Sequence, residues 1–145
     1  MSANSELFIE RLNALTDVDT DDYLVNRLYE LCDLIENDPD SSSVVPHIFA
    51  FFEAHPEADF GLPGPLVHLL EKQPDYEEQL IESVSRKPIV NTVSMINRIL
   101  NSNISSQKRA VLLDLLRSVE TNPEGEYARE QAELFLKFQA KRHRT

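Results

Sequence analysis

Only one cysteine, Cys32, occurs among the 145 residues, so no intramolecular disulfide can form and a reducing cytoplasm is the expected compartment. No apolar run approaches the roughly 18 residues that a membrane-crossing helix needs. The opening residues, from Met1 to Glu6, lack a basic stretch followed by a long apolar one, so no secretory signal is expected. Alternating apolar–polar runs of useful length are missing, as are Asn-Gly and Asp-Gly pairs, which argues against hairpins and sheets. There is no Gly-x-Ser-x-Gly elbow, phosphate-binding loop or dinucleotide fingerprint, so the commonest hydrolase and nucleotide chemistries have no anchor here.

Basic residues are scarce in one half. Residues 1–82 hold 19 acidic and 3 basic side chains, a net −16, whereas residues 83–145 hold 6 and 11, a net +5. The total is −11. The acidic half repels nucleic acid and anionic membrane and attracts basic proteins. Apolar residues at 41% and charged residues at 27% are an ordinary globular balance, and the length suits a single domain over 1–145.

What is present is helical periodicity. Phe8, Leu12 and Leu15 predict a first helix over 5–15, and Leu24, Leu28, Leu31, Cys32 and Ile35 a second over 21–37, with Asp19 as its N-cap and Asp22 three residues on. A third helix over 44–54 carries Val45, Ile48, Phe49 and Phe52, with Pro46 in its first turn. A fourth over 65–72 starts at Pro65, and a fifth over 74–85 turns Leu80, Ile81 and Val84 inward. A sixth over 89–102 buries Val93, Ile96, Ile99 and Leu100. Ser105 caps a seventh over 105–120, and Asn122-Pro123 reads as the N-cap and first-turn proline of an eighth, which carries Tyr127, Leu134, Phe135 and Phe138. The expected fold is therefore all-α, about eight short helices stacked as antiparallel pairs: second with third, fourth with fifth, sixth with seventh, eighth as a cap. Either a HEAT-like solenoid or a compact irregular bundle satisfies this pattern.

Candidate chemistry is thin. Asp17, Asp19 and Asp21 open like a calcium loop, but the sixth position is Asp22 rather than Gly and the twelfth is Leu28 rather than Glu, so capping and solvation explain them better. His47, His55, His68 and His143 have no zinc-site spacing, and no metal or other cofactor is expected. Cys32 lies on an apolar stripe of an acidic helix, the setting of a small hydrophobe rather than a nucleophile. Lys137, Lys141, Arg142 and Arg144 form a basic tail, better explained by the dipole at a helix C-terminus than by contact with nucleic acid. Two of three glycines and two prolines fall within 61–65, which demands a shaped loop. That loop is either a rigid turn between helices or a pre-ordered recognition surface, with Asn91, Thr92, Asn97 and Arg98 as polar groups suited to the same face.

The run Phe60, Gly61, Leu62, Pro63, Gly64, Pro65, Leu66, Val67 and His68, followed by Lys87, Pro88, Thr92, Val93, Met95, Asn97, Arg98, Leu100 and Asn101, resembles small helical immunity proteins of bacterial polymorphic toxin and contact-dependent growth inhibition systems. The resemblance covers about residues 59–101; the flanks match only as helical, acidic sequence. It implies a cytoplasmic antidote that binds a cognate toxin C-terminal domain and blocks it, without turnover. The acidity adds that the toxin is basic, such as a nuclease, with no nucleic acid or membrane bound by the antidote itself. Asp17, Asp19, Asp22, Glu30, Asp33 and Glu36 are the expected electrostatic guides, and Tyr23 and Tyr29, if exposed, the aromatic contacts beside them. The protein is expected as a monomer or weak homodimer. Two other readings stand beside this one: a HEAT-like adaptor with no toxin partner, and an enzyme using an unrecognised carboxylate pair.

Overall fold

The computed structural model describes residues 1–143, and among these every regular element is helical. Eight α-helices run as α1 (Ala3–Asn13), α2 (Leu24–Asp33), α3 (Val45–Ala54), α4 (Pro65–Glu71), α5 (Tyr76–Arg86), α6 (Val90–Leu100), α7 (Ser106–Thr121) and α8 (Arg129–Arg142). Short 3-10 turns at Val18–Thr20 and Ser41–Val44 lead into α2 and α3. No helix is long and apolar enough to cross a membrane among the described residues. Contacts divide the chain into two compact units, Met1–Gln79 and Leu80 onward, with the division falling inside α5.

In the first unit α1 packs on α2, on α3 and on the turn at Ser41–Val44. Ser2 caps α1 by accepting from the Ser5 amide at 3.0 Å. The Asp40 carboxylate fixes this end: one oxygen accepts from the Ser2 amide at 2.8 Å and from the Ser5 and Ser43 hydroxyls, each at 2.9 Å. These bonds, the Ser2 amide first, hold its carboxyl below the ordinary value of 3.8. The expected pairing of the second helix with the third is not the principal one, because α2 lays its apolar face against α4. The loop 55–64 is long enough to carry the chain back to α2. Phe60 anchors that loop, buried against Phe52 and Phe51 with ring centroids 4.8 and 5.6 Å away.

In the second unit α6 and α7 pack together as expected, and α8 covers both. Ser105 caps α7, accepting from the Lys108 amide at 3.1 Å. The Asn122-Pro123 expectation is wrong: α8 begins at Arg129, six residues later. The Asn122 side chain is engaged elsewhere, donating to the Ser85 carbonyl at 3.1 Å and accepting from the Glu124 amide at 2.9 Å. Ile81 is only half-buried, and Ser83 takes the inward place beside Leu80 and Val84. Tyr127, Leu134 and Phe138 are exposed, so α8 seats Ala132 and Gln139 inward instead.

Candidate functional site

An exposed ridge along α2 gathers most of the residues singled out by charge. Leu24, Leu28, Leu31, Cys32 and Ile35 recur at helical spacing and are buried. The same period turns Tyr29, Glu30, Asp33 and Glu36 to solvent. Asp17, Asp19, Asp22 and Tyr23 precede the helix and are exposed as well. Tyr23 is 70% accessible and Tyr29 52%, large amphipathic side chains left uncovered beside carboxylates. Asp17, Asp22, Glu30 and Asp33 have no cationic partner among the described residues.

The approach to this ridge corrects one capping expectation. Asp21, not Asp19, makes the turn before α2, accepting from the Tyr23 amide at 2.9 Å and lying 3.4 Å from the Arg27 guanidinium. Asp19 lies 3.8 Å from His55 Nδ1. The three aspartates of the calcium-like run thus serve different neighbours. No group of three or more metal-ligating side chains gathers among the described residues.

Two clefts flank the ridge. One, of about 410 Å³, lies between α1 and α2 and is lined by Arg11, Leu15, Arg27, Glu30 and Leu31. The other, of about 80 Å³, lies between α2 and α4, where Tyr29, Asp33 and Glu36 face His68 and Lys72. At about 80 Å³ the smaller cleft falls well short of the roughly 300 Å³ at which small-molecule pockets begin. Lys72 Nζ reaches Glu36 at 2.6 Å, and that hydrogen bond, followed by the lysine charge, lowers the Glu36 pKa. Glu36 is thus held ionised, opposite to what a general acid requires. Below it, burial and then the charges of Glu36 and Asp33 push the Cys32 thiol up to about 12. Such a thiol stays protonated at neutral pH and is a poor nucleophile.

The glycine–proline segment divides into two roles. Gly61 and Gly64 have φ of +86° and +84°, and a Cβ on Gly64 would lie 1.9 Å from the Phe60 carbonyl oxygen. Only glycine fits there. The Leu62-Pro63 peptide is cis, Phe60 and Pro65 are buried, and Leu62 projects into solvent. The loop therefore shapes the entry to α4, while His68, one turn along, is exposed in the cleft beside the acidic ridge.

The α6 residues do not form a polar surface together. Thr92 is buried, its hydroxyl joined to the Ile89 amide at 3.1 Å and the Ile89 carbonyl at 3.2 Å. Asn91 is buried too. Asn97 is buried and accepts from Gln139 Nε2 at 2.7 Å. Arg98 is exposed. Of the basic tail, Lys141 and Arg142 occupy the last turn of α8, and Arg142 donates to the Asn101 side chain and carbonyl. Arg144 lies outside the described residues.

Sequence reasoning missed Arg11, Arg27 and Lys72, the cations that border the ridge, and the Asp40 carboxylate at the α1 end. Their isolated positions carry no pattern; only the packing of α1 and α4 on α2 brings the cations into place. Set against known proteins, the chain matches no family model, no curated protein and no solved structure.

Proposed function

We propose that this protein is an immunity protein, which binds and neutralises the basic toxin domain of a cognate effector in the cytoplasm. The observation that carries the reading is the α2 ridge, where unpaired Asp22, Glu30 and Asp33 surround exposed Tyr23 and Tyr29. Carboxylates without internal cations project their field outward and steer a basic partner to the surface. Tyrosines beside them supply the contact area on which hot spots are built. A basic nuclease cleft is the matching surface, because it already binds a polyanion. The mode is stoichiometric occlusion, and it asks no chemistry of the antidote.

The reading is tested by growth of cells that express the C-terminal domain encoded immediately upstream of this gene. Arrest by that domain, relieved by this protein, together with recovery of a 1:1 complex, supports it. A harmless domain, or killing that this protein does not relieve, removes it.

A further inference from the structure

A second groove lies on the opposite kind of charge. It runs between α7 and α8, has a volume of about 400 Å³, and has Leu113, Leu136 and Ala140 as its apolar lining. Arg109 and Arg117 border it on α7, Lys137 on α8 and His143 just past the end of α8. Arg109, Leu113 and Arg117 recur every four residues and so share one face of α7.

The cations differ in how they are held. Arg109 makes two hydrogen bonds, to the Leu100 carbonyl at 3.2 Å and to Gln139 Oε1 at 2.9 Å. Both acceptors are neutral, so the guanidinium is fixed in place with its charge uncompensated. Arg117 and Lys137 meet Asp114 at 2.7 Å and Glu133 at 3.1 Å, exposed pairs that exchange partners at little cost. The local field also acts on His143, whose pKa is lowered by desolvation and then by the charges of Arg109 and Arg142.

We infer that this groove receives the acidic α2 ridge of a second copy of the chain, giving head-to-tail association. The occupant follows from complementarity: the groove needs apolar or aromatic groups flanked by carboxylates, and Tyr29 with Glu30 and Asp33 presents that combination on an exposed helix. Ridge and groove are different surfaces, so the contact is heterologous, and a bound pair leaves one ridge and one groove free. The inference does not depend on the toxin partner proposed above. Where both hold, self-association and toxin binding compete for one ridge.

The test is sedimentation velocity on the full chain over a concentration series. At low ionic strength, where the Debye length is about 10 Å or more, the mean mass rises with concentration above the 16.6 kDa of one chain. At about 1 M salt, where that length falls to about 3 Å, it returns to one chain. Arg117→Glu with Lys137→Glu removes the groove, and Glu30→Gln with Asp33→Asn removes the ridge without making it complementary to the altered groove; all four positions are exposed. Each variant alone remains a single chain, but their equimolar mixture gives a dimer, twice the mass of either, because one retains a ridge and the other a groove. A wild-type chain that stays single throughout overturns the inference, whatever the variants do. So does a wild type that associates while the mixed variants fail to combine, which would place the contact elsewhere.

Discussion

Gln139 on α8 and Asn97 on α6, both buried and 42 residues apart, are joined by a 2.7 Å hydrogen bond from the glutamine amide nitrogen to the asparagine oxygen. The same nitrogen donates to Asn101 Oδ1 at 2.8 Å, and the glutamine oxygen accepts from Arg109 at 2.9 Å. Gln139→Leu keeps most of the volume and strands Asn97 and Arg109. A buried polar group left unsatisfied costs about 1–3 kcal/mol. The free energy of unfolding from denaturant titration is expected to fall by that amount in the variant, and an unchanged value would show that the clasp contributes nothing.

Gly64→Ala is expected to destabilise the first unit. The backbone there, φ 84° and ψ 170°, is a region almost confined to glycine, and the added methyl meets the Phe60 carbonyl. Strain of this kind costs about 1–3 kcal/mol before the clash is counted. Thermal unfolding checks it; Leu62→Ala, at the exposed tip, is the control that leaves stability within about 0.5 kcal/mol.

Acid should weaken the α1 end through Asp40. Its carboxyl pKa is lower in the folded chain than the ordinary 3.8, so the folded state binds its proton more weakly than the unfolded state does. The contribution is present above the ordinary value and disappears as pH falls through the folded one. Asp40→Asn is therefore less stable than wild type at neutral pH, and the difference narrows below about pH 4. Urea midpoints measured across that range decide the matter, and a constant difference would refute it.

Cys32 should resist alkylation while the chain is folded. Raising its pKa from 9.0 to about 12 cuts the thiolate fraction near neutral pH about a thousandfold, and burial blocks access besides. Mass spectrometry after brief iodoacetamide treatment should find it unmodified in buffer and modified in strong denaturant. Rapid labelling in buffer would contradict both the burial and the shift.

For the toxin reading, Asp22→Lys, Glu30→Lys and Asp33→Lys together should lower the association rate with the toxin about tenfold or more and flatten its salt dependence. Stability should hardly move, since all three side chains are exposed and unpaired. Unchanged association kinetics would remove the ridge from the interface.

Local signals were readable where the responsible atoms lie within one turn of each other. Ser105 as a cap, Pro65 at a helix start and the two faces of α2 all follow from neighbours three or four residues apart. Asn122 misled because its carboxamide bonds to Ser85, 37 residues earlier, and the chain delays α8. The ridge was legible as an acidic helical face, whereas the exposure of Tyr23 and Tyr29 shows only in the structure. The clefts beside it were not, because His68 and Lys72 reach α2 only through the docking of α4. Gln139 was invisible for the same reason: a glutamine in a charged helix reads as surface until its three distant partners are known.

The way α8 is seated has a consequence for how it can err. A helix held by leucines alone can slide or rotate by a notch and still find greasy contacts. Here a one-residue slip would swing Gln139 through about 100° and bring Phe138 or Ala140 to face Asn97, Asn101 and Arg109, none of which they can satisfy. The amide clasp thus works as a key that indexes α8 to a single setting on α6 and α7.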